Sequence, residues 1–198
     1  MSEGRFAGRV ALVTGAGRGM GACHARLLAL GGARVVVQGR DGESVEQIAT
    51  GIRTSGGEAL AVAGDVSREE DVARNLDEAE AAFGPVGILV NNAGVASFGG
   101  TEAVTEESFD RVFGGNLAGT FLMTRRVVPG MKAARAGKIV NISSRFGQVG
   151  APVSIDYCAS KSGVHGLTKA WAKELAPWNI CVNCVAPGGV WTEMGLAE

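Results

Sequence analysis

Residues 10–21 read VALVTGAGRGMG, and the junction inside this stretch decides the fold. Val10 to Val13 form a short, unbroken apolar run, the pattern of a strand buried on both faces rather than one with a wet side. Four glycines follow, Gly15, Gly17, Gly19 and Gly21, and let the chain turn sharply while leaving backbone amides uncovered. A helix should begin there. Met20, Cys23, Leu27 and Leu30 recur at helical spacing and predict its apolar face, and Gly31-Gly32 end the pattern. A buried strand that turns through glycines into a helix aims amides and the positive end of the helix dipole at one spot, where a pyrophosphate can sit. Glycines can serve helix-strand packing alone, but their place between strand and helix favours phosphate.

Outward from this unit the pattern repeats. RVVVQG (34–39), ALAVAG (59–64), GILVNN (87–92), GKIVNIS (137–143) and CVNCVAPG (181–188) read as further strands. Helices are expected over about Glu43–Thr54, after Ser67, over Glu106–Val128 and over Asp156–Ala176. Ser67 and Glu70 have capping-box spacing, and Val72, Leu76, Ala79 and Phe83 form an apolar stripe behind them. Such alternation favours right-handed crossovers into a doubly wound α/β fold: a six-stranded parallel sheet with helices on both faces. Its ligands bind at the carboxyl ends of the strands.

Composition agrees with one domain over residues 1–198. The chain has 46% apolar and 20% charged residues and a formal net charge of −1, which gives no electrostatic footprint for nucleic acid or an acidic membrane. No apolar run approaches the length of a membrane span, and the first ten residues do not resemble a leader, so a cytoplasmic location is expected. The 31 glycines punctuate strand ends. Cys181 and Cys184 are spaced C-x-x-C, but in a strand they point to opposite faces, so Cys23, Cys158, Cys181 and Cys184 are read as packing residues and no metal is expected.

The residues after each strand carry the chemistry. Where an acid would meet the ribose hydroxyls of NAD the second strand has Gly39, followed by Arg40; with Arg18 of the glycine loop this predicts the 2′-phosphate of NADP(H), with NAD(H) as the alternative. Asp41 competes for the ribose, although an acid past the strand end more often caps a helix. Asp65 has the chemistry to accept from an adenine amino group and Val66 to pack on its ring, yet an Asp there also serves as a turn residue. Asn91 to Gly94 (NNAG) can fix a strand-to-helix turn, let the chain pass close to a cofactor, or both.

Tyr157, the only tyrosine, and Lys161 are spaced i and i+4, on one face of a helix. A cationic neighbour stabilises phenolate and makes the phenol a better proton donor near neutral pH. Ser144, just past the fifth strand, can donate to a carbonyl oxygen. A carbonyl held by Ser144 and protonated by Tyr157 would accept hydride from a nicotinamide over the same strand ends.

The ordered set TGAGRGMG, NNAG, YCASK and PGGVWT resembles the short-chain dehydrogenase/reductase family, in its compact single-domain branch with a Rossmann-like sheet, from about Arg9 to Met194. The resemblance implies that Ser144, Tyr157 and Lys161 carry the proton and orientation roles, with Lys161 also holding the nicotinamide ribose and Asn116 supporting a water relay. It implies cofactor contacts at Gly15, Arg18, Gly19, Gly21, Arg40, Asp65, Val66, Asn92, Ala93 and Gly94. Pro187, Gly188, Val190 and Thr192 match the segment beside the nicotinamide. Ser143 is the alternative serine. Family members usually continue through a substrate lid and a seventh strand, whereas this sequence stops at Glu198. The expectation is a shortened chain, or a sixth-strand edge covered by another subunit.

These readings lead to an NADP-preferring oxidoreductase acting on a carbonyl or secondary alcohol, with a ketoacyl thioester reductase among the compatible roles and a homodimer or homotetramer as its assembly. The alternative is a dinucleotide-binding or assembly protein with little turnover. An epimerase or dehydratase would share the tyrosine and lysine but usually comes with different glycine spacing. His24, His165 and Trp171 are read as surface or packing residues.

Overall fold

The computed structural model describes residues 4–192; Met194 and the closing residues, which bear on the C-terminal expectation, lie outside them. Six strands, β1 (Val10–Val13), β2 (Arg34–Gly39), β3 (Glu58–Ala63), β4 (Ile88–Asn91), β5 (Gly137–Ile142) and β6 (Ile180–Val185), form one parallel sheet in the order β3-β2-β1-β4-β5-β6. The doubly wound reading is correct.

Alternation within each strand explains the two helical layers, since successive side chains leave a strand on opposite faces. Leu12, Val36, Leu89 and Ile139 enter one core together with Val72 and Leu76 of α3 (Glu69–Phe83), Met123 and Met131 of α5 (Gly119–Ala134) and Leu175 of α7 (Ile155–Leu175). Their neighbours Ala11, Val13, Val35, Val37 and Val90 enter the other, against α1 (Gly19–Leu30) and α2 (Gly42–Thr54). Strand β6 lies at the sheet edge among the described residues, with Ile180 and Val182 buried and Cys181, Asn183 and Val185 exposed.

Helix α1 corrects its predicted apolar face. Gly21, Ala22 and Ala25 are its buried residues, whereas Cys23 is exposed and Leu27 and Leu30 are 64% and 78% exposed. The cause is close approach. A Cβ on Gly21 would stand 2.2 Å from the Gly15 carbonyl oxygen, so only small side chains fit directly beneath this helix; Leu27 and Leu30 turn outward, and Met20 and Leu28 pack partly buried at its margins.

Two further expectations change. The Ser67 capping box is not made: α3 begins at Glu69, and the Ser67 N–H and hydroxyl both donate to Asp65 Oδ1, at 2.9 and 2.7 Å. The single helix expected over Glu106–Val128 is divided into α4 (Glu106–Phe113), a π-helical turn (Gly114–Ala118) and α5, which runs on through Pro129 to Ala134. Buried Val127 and Met131 anchor α5 on either side of the proline, which offsets the hydrogen bond that proline removes. A four-residue helix, α6 (Phe146–Val149), precedes α7. No described helix is long and apolar enough to cross a membrane.

Candidate active site

Helices leave β1 and β4 toward opposite ends of the sheet, so a crevice opens where their carboxyl ends lie side by side. Thr14 fastens its floor. Its hydroxyl oxygen accepts the N–H groups of Asn92 and Ala93, at 3.0 and 2.9 Å, while Asn92 Nδ2 donates back to the carbonyls of Thr14 and Gly15, at 3.0 and 3.2 Å. Gly15 has φ +61°, and a Cβ there would stand 2.8 Å from Ala93 Cα, so the turn admits only glycine. The result is a cleft of about 700 Å³ bounded by the glycine loop and the ends of β2, β3, β4 and β5.

The predicted cofactor residues gather here. All of them border this cleft except Pro187, Gly188 and Val190. Those three follow β6, where the Pro187 carbonyl accepts the Arg145 N–H at 2.8 Å, and Thr192 beyond them reaches the cleft beside Gly19. The cradle suits a dinucleotide: a glycine-rich turn at the N-terminus of α1 and a volume within the roughly 300–1,000 Å³ of small-molecule sites.

At the β2 end Arg18, Arg40 and Asp41 all border the cleft, and Asp41 is also the N-cap of α2, its carboxylate accepting the Glu43 N–H at 3.1 Å. At the β3 end Asp65 is a turn residue by its contacts with Ser67, and its own N–H donates to Asp71 Oδ2 at 2.9 Å. That bond, with Arg74 beside it, holds the Asp71 carboxyl below the usual carboxylate range. Val66 packs against Gly119 on one side and borders the cleft on the other.

Helix α7 carries both Tyr157 and Lys161. Lys161 is buried, its Nζ lies 5.7 Å from the centre of the Tyr157 ring, and it donates to the Ile142 carbonyl at 2.8 Å. Burial pushes its pKa down to about 8, opposed by the nearby Cys184. Gly94 lets the backbone pass between Lys161 and Asn116: a Cβ there would stand 3.3 Å from Nζ and 3.2 Å from Asn116 Oδ1.

The two serines divide their work. Ser143 has one hydrogen to give, and its hydroxyl lies 2.8 Å from the Lys161 carbonyl, which can only accept, and 3.0 Å from His165 Nε2. The imidazole must therefore donate from Nε2 to Ser143. Ser144 accepts the Phe146 N–H at 3.2 Å and keeps its proton for another acceptor. Ser144 lies outside the walls of the large cleft, which Ser143 borders.

Asn116 sits in the π-helical turn with its amide spent on structure. Oδ1 accepts the Val95 N–H at 2.7 Å, and Nδ2 donates to the Val95 carbonyl and to Ser160 Oγ, both at 3.0 Å. Ser160 in turn donates to the Tyr157 carbonyl at 2.8 Å.

Sequence reasoning missed two contributors. His165 supports Ser143, and its spacing four residues after Lys161 on the same helical face was a usable signal. Asp156 is fully buried beside Tyr157; its carboxylate accepts the Ser97 hydroxyl at 2.5 and 2.6 Å and the Tyr157 N–H at 2.8 Å. Nothing in the sequence pairs it with Ser97, which lies 59 residues away.

A parallel sheet in the order 3-2-1-4-5-6, with a glycine-walled cleft and a tyrosine-lysine pair at its strand ends, defines a dinucleotide-binding oxidoreductase. The profile of the short chain dehydrogenase family matches residues 9–197, and the chain belongs to that family. It is 43% identical to trans-4-hydroxycyclohexanecarboxylate dehydrogenase of Sinomonas cyclohexanicum, over 96% of this chain and 75% of that protein. It is 38% identical to 3-oxoacyl-[acyl-carrier-protein] reductase FabG of Thermotoga maritima, over 96% and 77%. A solved structure from Sinorhizobium meliloti 1021, assigned as a short-chain alcohol dehydrogenase, superimposes with a TM-score of 0.91 at 40% identity, covering 95% of this chain and 75% of that one.

Proposed function

We propose that this protein interconverts a carbonyl compound and its secondary alcohol with NADP(H) as the preferred cofactor, with Tyr157 as general acid in reduction and general base in oxidation. The observation that carries the reading is the buried Lys161 ammonium, held by the Ile142 carbonyl against the Tyr157 ring at the wall of the cleft. When bound, the reduced cofactor supplies a hydride. The carbonyl carbon accepts it, the oxygen takes the Tyr157 proton, and Ser144 donates a hydrogen bond that orients that oxygen. Lys161 stabilises the phenolate left behind and would hold the ribose of a bound nicotinamide.

Arg18 and Arg40 support NADP(H): two guanidinium groups border the cleft where a 2′-phosphate would lie, and Asp41, which borders it as well, has a carboxylate oxygen engaged in capping α2. The names of the relatives span a hydroxycyclohexane carboxylate and a 3-oxoacyl thioester, and both reactions interconvert a ketone and a secondary alcohol. A homodimer or homotetramer in the cytoplasm completes the reading.

The test follows the loss of nicotinamide absorbance with NADPH or NADH and a panel of ketones. Ketone-dependent consumption is expected, with Arg40→Ala weakening NADPH at least about tenfold more than NADH, in line with the loss of a charge-assisted phosphate contact. Cofactor binding without turnover of any ketone would mark a binding protein instead, and equal losses for the two cofactors would overturn the NADP(H) assignment.

A further inference from the structure

Tyr157 is the third residue of α7, so its N–H is one of those at a helix start that have no partner within the helix, in a turn that frays readily. The usual cap is missing. The N-cap Ser154 makes no side-chain cap, since its hydroxyl donates to the Ser97 carbonyl at 3.1 Å. Asp156 takes over that role: its Oδ1 accepts the Tyr157 N–H at 2.8 Å, and the donating Ser97 hydroxyl lies 2.5 Å from Oδ1 and 2.6 Å from Oδ2. A carboxylate in the first turn also meets the positive end of the helix dipole.

The carbonyl of the same tyrosine is held from the other side. It accepts the Ser160 hydroxyl at 2.8 Å, Ser160 accepts from Asn116 Nδ2, and Asn116 grips both the N–H and the carbonyl of Val95. Val95 and Ser97 lie in one loop, between β4 and α4. Both backbone polar groups of Tyr157 are therefore tied, by separate routes, to the same short stretch of chain, and the hydrogen bonds close a ring around the tyrosine. The Gly99 N–H, which donates to the Val153 carbonyl at 2.7 Å, extends the fastening to the chain ahead of α7.

We propose that Asp156 is a positioning residue for the reaction: with Ser97 it clamps the first turn of α7 to the loop after β4 and so fixes the Tyr157 phenol for proton transfer. The proposal rests on the oxidoreductase reading above. Two arguments carry it. A fully buried carboxyl group gives up its hydration and is retained where short, charge-assisted hydrogen bonds replace it, and among the described residues those of Asp156 go to Ser97 and Tyr157. A phenol that passes a proton must also be held closely, since a misplacement of about 1 Å can cost about 100-fold in rate. This one springs from the loosest turn of its helix.

The test uses saturating NADPH and the ketone of the panel turned over fastest, cyclohexanone in the first instance. Asp156→Ala should lower kcat at least about tenfold and leave the Kd for NADPH unchanged, because neither Asp156 nor Ser97 borders the cofactor cleft. The solvent deuterium isotope effect on kcat should rise, since a displaced phenol slows proton transfer relative to the other steps; a mere loss of folded protein would leave it unmoved. Asp156→Asn, whose amide can still accept the Tyr157 N–H and donate to Ser97, should recover most of the rate. Ser97→Ala should lower kcat as well, and adding it to Asp156→Ala should cost nothing further, because the two act as one unit. Should Asp156→Ala fail to fold, Ser97→Ala, at a half-buried position, and Asp156→Asn carry the same test through the isotope effect. A kcat indifferent to these variants, an equal loss of NADPH affinity, additive losses or an unmoved isotope effect overturns the proposal, while Tyr157-dependent turnover leaves the oxidoreductase reading standing. Absence of Tyr157-dependent turnover on every ketone overturns both.

Discussion

At neutral pH the folded chain keeps a largely buried ammonium group at the wall of the cleft. Lys161 has its pKa pushed down to about 8 by burial, against an unperturbed value of roughly 10.4. Between these values the unfolded chain binds more protons than the folded one, so stability rises with pH across about 8 to 10.4, and below pH 8 the burial cost is carried in full. Lys161→Met removes that cost. The cofactor-free variant should melt about 2–6 °C higher at pH 7, a shift of one to two kcal/mol in a domain of this size, and should lose its turnover. Differential scanning calorimetry at pH 7 and 9.5 checks both the gain and its narrowing at the higher pH. In the intact protein ketone reduction should decline above about pH 8 as Lys161 loses its proton, which a pH-rate profile reads directly.

At the residue scale the placement of the candidate site was largely legible in the sequence because it rests on short local spacings. Tyr157 and Lys161 are one helical turn apart, and the glycines lie within one junction. The support around them was not legible. The Asp156 contact with Ser97 and the bond between Thr14 and Asn92 span 59 and 78 residues, and only the folded sheet brings such partners together.

The elements divide by how closely they pack. Helix α3 met its predicted stripe, with Val72, Leu76 and Ala79 buried, because its side chains fill a deep layer against the sheet. Helix α1 met its stripe only at Met20, because contact between its backbone and the glycine loop leaves Gly21, Ala22 and Ala25 as its fully buried residues. Leu27→Gln is therefore expected to change stability by no more than about 0.5 kcal/mol, whereas Ala25→Leu should cost about 1–3 kcal/mol through overpacking. Chemical denaturation of the pair decides this; equal effects would return Leu27 to the core.

A buried polar chain ties the second half of the sheet to its helices. Asn91 of β4 donates to Thr124 of α5 at 3.0 Å and to Asn141 of β5 at 2.9 Å, and Asn141 donates to Thr168 of α7 at 2.9 Å. Asn141→Ala leaves Asn91 and Thr168 short of partners in the interior and should cost about 1–3 kcal/mol. Because α7 also carries Tyr157, the same variant should lower kcat more than it weakens cofactor binding, and an equal loss in both would detach this chain from the site.

At the scale of the molecule, a sheet edge and aromatic surface are uncovered among the described residues. Val185 of β6, Phe109 of α4, and Phe121 of α5, which stacks near Trp171 of α7, are exposed. Exposed strand edges and apolar patches of this kind are sites of association. Light scattering is expected to give a dimer or tetramer, and Phe121→Asp to shift it toward smaller species; a monomer at all concentrations would contradict the expected assembly. The topology itself was legible from the alternation of strands and helices, since that alternation permits few sheets. The number of chains in the assembly was not, because it depends on surfaces whose partners the sequence does not name.

The most direct test compares Tyr157→Phe with the unaltered protein under saturating NADPH and cyclohexanone, with NADPH affinity measured alongside by fluorescence titration. A fall in kcat of at least about 100-fold, the scale of general acid catalysis, with NADPH bound as tightly as before, is the predicted result. Turnover preserved without the phenolic hydroxyl would contradict it.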